Sequence, residues 1–170
     1  WMAPQIANGV LVGVVLTVLI FLYGVMQPRS EILGRAADGS LAGAISHDLP
    51  PISDDYVVLR FDASLVFINS AFFEQAVMKA ISQFPDAKTL LVIGNGINSI
   101  DATGEEKLRA LTGDLKKAGI TLALSGLKKP VREALDRAGL DGVIGRENLF
   151  PNKEIALTAL DARHAAAAPA

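Results

Sequence analysis

Residues 89–106 read Thr89-Leu-Leu-Val-Ile-Gly-Asn-Gly-Ile-Asn-Ser-Ile-Asp-Ala-Thr-Gly-Glu-Glu106. The run Thr89 to Ile93 is short and continuously apolar, and Gly94-Asn95-Gly96 closes it, as expected for a strand covered on both faces. From about Thr103 to Ala118, Leu108, Leu111 and Leu115 recur at helical spacing, and Gly119 stands where such a helix would stop. A strand buried on two sides that feeds a helix is the unit of a parallel sheet, so this stretch predicts the α/β class.

The flanks extend the pattern. Downstream, Ile120 to Leu124 reads as a second buried strand, and Pro130 opens a helix to Ala138 whose inner face is Val131, Ala134, Leu135 and Ala138. Val143-Ile144 is a brief apolar segment, and a last helix is expected over Asn152 to Ala162. Upstream, Tyr56 to Asp62 and Leu65 to Ile68 are rich in β-branched and aromatic residues around Ala63-Ser64, which predicts a hairpin. After the candidate caps Asn69 and Ser70, the apolar residues Phe72, Phe73, Ala76, Val77, Ala80, Ile81 and Phe84 follow helical spacing as far as Pro85. The expectation is a mixed β-sheet with parallel central strands, right-handed crossovers and helices packed over it, and with any site at the C-terminal strand ends.

Residues 1–28 carry no charged side chain. Within them Ile6 to Met26 is long enough, at about 1.5 Å per residue, to cross a hydrocarbon layer of roughly 30 Å. Trp1 and Tyr23 flank the run, and Arg29 and Arg35 follow it, which predicts one transmembrane helix with its domain in the cytoplasm, in a bacterial inner membrane. A signal peptide fits less well, because no basic residue precedes the run and no small-residue cleavage site follows it. A buried core helix would seldom stay apolar all round for this length. Gly9, Gly13 and Thr17 share one helical face, which suits close packing against another membrane helix but also matches the general frequency of glycine in lipid. The chain starts at Trp1 rather than methionine, so it is expected to be the end of something longer. The division that follows is 1–28 transmembrane helix, 29–54 linker with an edge strand near Leu41 to Ser46, 55–163 folded domain, and 164–170 disordered tail.

Composition narrows the function classes. Sixteen basic against eighteen acidic side chains leave no charge excess for a polyanion, so nucleic-acid binding is not expected. There is no cysteine, which removes disulfides, thiolate metal sites and cysteine nucleophiles. His47 and His164 lack metal-ligand spacing, and Asp62, Asp86 and Asp101 have no nucleophile beside them, so neither a metal centre nor an enzyme is expected. Gly94-Asn95-Gly96 has no accompanying G-x-G-x-x-G or G-K-[ST] and no basic residue before Lys107, a weak phosphate-loop signal. No cofactor is expected.

The remaining chemistry lies between the central strand and its helix. Thr103 and Glu106 have the spacing of a capping box, and Asp101 and Glu105 place negative charge at the positive end of the helix. Those residues would start a helix whether or not they also touch a partner. Ile100-Asp-Ala-Thr-Gly104, after a buried strand and before an amphipathic helix, resembles the D-[SA]-[ST]-G signature of STAS domains, found in anti-sigma-factor antagonists and in the cytoplasmic tails of SulP sulfate-permease-type anion transporters. Tyr56 to Phe73 resembles the opening of the transporter-type domain, Leu127 to Leu140 its third helix, and Gly145 to Pro151 its closing segment. The preceding apolar helix with Gln27-Pro28-Arg29 looks like the last span of such a permease.

The resemblance implies a non-catalytic domain that acts in assembly, trafficking or gating of an anion transporter, with sulfate, bicarbonate or a dicarboxylate as cargo. It also implies upstream helices of the same transporter and a homodimer. Asp101, Ala102, Thr103 and Gly104 become the regulatory or partner-contact residues, within a 95–106 loop that could meet a protein partner. In the antagonist branch the hydroxyl residue before the glycine accepts a phosphate, which makes Thr103 the phosphoacceptor by resemblance. Ala102 and threonine replace the paired serines of that branch. The alternative reading is a membrane-tethered phospho-switch of the antagonist type.

Overall fold

The computed structural model describes residues 3–167. Helix α1 (Ala3–Met26) contains the apolar window, and no residue of Ile6–Met26 is buried against protein. Only Val25 in that window is partly covered. Trp1 lies outside the described residues. Beyond α1 come β1 (Ser30–Arg35), β2 (Leu41–Gly43), β3 (Tyr56–Phe61), α2 (Ser70–Gln83), β4 (Thr89–Ile93), α3 (Ala102–Lys117), β5 (Thr121–Ser125), α4 (Lys129–Arg137), α5 (Leu140–Ile144), β6 (Leu149–Phe150) and α6 (Lys153–Ala167). The six strands form one sheet in the order β2-β1-β3-β4-β5-β6. Strands β3 to β6 are parallel, whereas β1 runs antiparallel to both of its neighbours.

The strands are apolar throughout because both faces are covered. Val57, Leu59 and Phe61 of β3, with Leu90 and Val92 of β4, meet Phe73, Val77, Leu108, Leu111, Leu115 and Leu135 from the helices α2, α3 and α4. The alternate residues Tyr56, Val58, Leu91 and Ile93 pack under Ala156 and Leu160 of α6. The Phe61 and Phe73 rings meet edge to face at 5.0 Å, an arrangement worth about 0.5–1.5 kcal/mol beyond area burial.

The mixed sheet, the two buried central strands and the helices that follow them are as the sequence implies. Several local expectations are corrected. Leu65 to Ile68 is not the second arm of a hairpin. Asn69 folds this segment into a 3-10 turn (Phe67–Asn69), accepting from the Val66 amide at 3.1 Å and donating to the Ser64 carbonyl at 2.8 Å. Leu65 is buried and bridges in parallel to Ile100. The antiparallel partner of β3 is β1, from the stretch expected to be a connector: Ser30 pairs with Phe61 and Ile32 with Leu59. Val143-Ile144 is the end of α5, and the strand instead forms at Leu149–Phe150. The last helix continues through Ala167, so His164 is helical rather than part of a frayed tail, and residues 168–170 lie outside the described residues.

Candidate functional site

The 94–106 loop is built by stacking onto the loop that leaves β3. Gly96 sits so close to that loop that a methyl group in its place would stand 2.5 Å from the Asp62 Cα. Beyond it, the Leu65 amide donates to the Ser99 carbonyl at 3.0 Å and the Asp101 amide donates to the Leu65 carbonyl at 3.2 Å. Asp101 then uses both carboxylate oxygens: Oδ1 accepts from the Gly104 amide at 2.8 Å and Oδ2 from the Phe67 amide at 2.9 Å. One side chain therefore caps α3 and holds the 3-10 turn.

This corrects the expected cap. Asp101, not Thr103, is the N-cap; the helix starts at Ala102 and Thr103 lies inside its first turn. Aspartate is among the strongest N-cap residues, so the better signal stood two positions earlier. Ala102 and Thr103 are exposed. Gly104 is buried, and a Cβ there would run into the Leu65 carbonyl oxygen. The glycine of the motif is thus a close-approach residue, which lets the first turn of α3 sit on the β3 loop. Lys107, in the next turn of α3, ties the helix to α2 through Glu74 at 2.5 Å.

Register fixes where this loop lies. The Asp62 amide donates to the Arg29 carbonyl at 3.0 Å, so the carboxyl end of β3 is beside the point where the chain leaves α1. Because β3, β4 and β5 are parallel, the loops 62–69, 94–101 and 126–128 gather at that same end. The turn Phe67–Asn69 neighbours α1 directly. Phe67, expected in a strand, instead projects from this turn with 74 % of its surface exposed. No feature of the sequence marks Phe67 for exposure, since aromatic residues in a β-rich run ordinarily report burial.

On α1, Gly9 and Gly13 have open space around them and Thr17 donates its hydroxyl to the Gly13 carbonyl at 2.8 Å. An open groove of about 410 Å³ lies between α4 and β6. On its rim Arg146 bonds Asp141 at 2.7 Å, and that guanidinium holds the Asp141 carboxyl below its ordinary pKa.

A family profile for the STAS domain matches residues 50–156. The chain belongs to the STAS-domain family. Over 165 residues, 91 % of the chain, it is 31 % identical to a probable sulfate transporter of Mycobacterium tuberculosis, of which it covers 28 %. The chain thus spans about a quarter of the length of the curated relatives it matches. The STAS domain of a SulP transporter from Vibrio cholerae superposes with a TM-score of 0.56 at 25 % identity, covering 72 % of this chain and 93 % of that one. The murine anion transporter Solute Carrier 26 family member A9, in its inward-facing state, superposes with a TM-score of 0.77 at 20 % identity. That match covers 91 % of this chain and 26 % of the transporter, so the likeness in fold includes α1 as well as the STAS domain.

Proposed function

We propose that the chain is the final membrane span and cytoplasmic STAS domain of a SulP-type anion transporter, and that the domain acts on transport by contact rather than catalysis. The observation that carries this reading is the position of the 94–104 loop at the root of the apolar helix. A surface held there by Asp101 and Gly104 faces the membrane side of the domain, where the other spans of a transporter would end. The cargo would be sulfate, or bicarbonate or a dicarboxylate, handled by helices that precede α1. Arg29 and Arg35 after α1 support a cytoplasmic domain. The Gly9, Gly13 and Thr17 face would seat a neighbouring helix of the same transporter or of a second protomer in a dimer.

The test uses the intact transporter that carries this chain, reconstituted in vesicles. Removing residues 30–167 should lower sulfate uptake while the protein stays inserted and monodisperse, and uptake equal to that of the intact protein would refute a role in transport. A second reading, regulation by phosphate at Thr103, is favoured by the exposure of that side chain within a helix first turn. A phosphate there would gain first-turn amides and face Asp101, Glu105 and Glu106, which suits a switch better than a permanent group. Mass spectrometry of the protein from cells should find a Thr103 phosphopeptide, and its complete absence under all growth conditions would remove this reading.

A further inference from the structure

Two side chains of the STAS domain are exposed against the trend of the rest. Phe67 is 74 % exposed and Ile45 63 %, whereas the other bulky apolar side chains on the domain surface, Met78, Val143 and Ile155, are all less than half exposed. Both of the outliers lie at one end of the sheet. Phe67 stands on the turn beside α1. Ile45 follows β2, whose antiparallel register sets Gly43 against Leu33, and the Ala44 amide donates to the Ile32 carbonyl at 2.7 Å. The chain at Ile45 has therefore returned to the level of Glu31, one residue inside the start of β1.

Only Gln27, Pro28 and Arg29 separate α1 from β1, a reach of at most about 14 Å between Met26 and Ser30. Helix α1 has 24 residues, or about 36 Å at 1.5 Å each, longer than a hydrocarbon layer of roughly 30 Å. Its last turn thus belongs to the headgroup zone, and the sheet edge lies directly beneath it. Charges at this edge are of both signs, Arg29, Arg60 and Lys128 with Glu31, Asp62 and Asp101, so no net field selects a charged partner. An aromatic and an aliphatic side chain presented at that depth match the headgroup and glycerol region of a lipid leaflet.

We propose that Phe67 and Ile45 are two apolar feet that enter the lipid interface on either side of the root of α1 and hold the STAS domain against the membrane. The inference rests on the reading of α1 as a membrane span. It is tested on the full 170-residue chain in phosphatidylcholine nanodiscs, with the single tryptophan removed (Trp1→Phe) and one tryptophan returned at a time. Leu16→Trp reports the span, Phe67→Trp and Ile45→Trp report the feet, and Val143→Trp, on α5 at the far end of α4, reports the distal surface. All four positions are exposed, so the substitutions leave the fold in place.

With lipid brominated near the headgroup end of its chains, emission from positions 67 and 45 should fall and be blue-shifted relative to position 143. Position 16 should be quenched by lipid brominated deeper. Quenching at 16 with none at 67 and 45 would overturn the feet while leaving the span intact. No quenching at 16 would overturn the span, and the feet with it.

Discussion

At position 104 the sheet loop and the helix have no room for a side chain: the missing methyl group of Gly104 is what lets α3 start against the Leu65 carbonyl. Gly104→Ala should therefore destabilise the domain by about 1–3 kcal/mol, the ordinary cost of overpacking, read from urea denaturation. Thr103→Ala, one residue away and exposed, should change stability by no more than about 0.5 kcal/mol. Asp101→Ala removes the cap and leaves the Phe67 amide without its acceptor. A loss of about 1–2 kcal/mol is expected, together with faster hydrogen exchange at the amides of residues 67 and 104 by mass spectrometry. The sequence made these four motif residues visible but not their division of labour. A threonine three residues before a glutamate reads as a capping box, and nothing local reports that Asp101 also reaches a turn 34 positions earlier in the chain.

Among the elements, the ones legible in sequence were those whose environment is uniform. Strands β4 and β5 are buried on both faces and read as unbroken apolar runs, and α2 and α3 bury one stripe each. Strand β1 escaped because Ser-Glu-Ile-Leu-Gly-Arg contains only two strongly apolar residues, and its strand character comes from pairing with β3 and β2. Tertiary context supplied what propensity did not. That pairing has a measurable consequence. A fragment beginning at Pro50, near the first residue matched by the STAS profile, would turn β3 into an open edge and uncover Val57 and Leu59. It should aggregate or melt at lower urea than a fragment beginning at Pro28, when both are followed by light scattering and circular dichroism.

On the scale of the whole molecule, α6 is the only helix among the described residues that packs on its face of the sheet, and its docking includes a half-buried polar link. The Tyr56 hydroxyl donates to Asp161 at 2.7 Å. Burial, and then the hydrogen bond and charge of Asp161, push the Tyr56 pKa well above the usual tyrosine range. The folded state thus keeps a proton that the unfolded chain gives up near pH 10, so the associated stability is complete below about pH 10 and drains away as the pH rises past it. Urea midpoints measured from about pH 8 to pH 11 should fall across the upper part of that range. In Tyr56→Phe the fall should be smaller, on a baseline lower by about 1.5 kcal/mol for the lost charged hydrogen bond.

Between the helix and the sheet the chain has no slack. Pro28 is buried and conformationally fixed, and the carbonyl of Arg29 is clamped by the Asp62 amide. Such a joint behaves as a stiff wrist, so any tilt of α1 must swing the sheet beneath it like a hand on a forearm. Inserting a Gly-Ser stretch after Gln27 should free the two to reorient separately, seen as a broadened distance distribution between spin labels on α1 and α6, with the domain itself as stable as before.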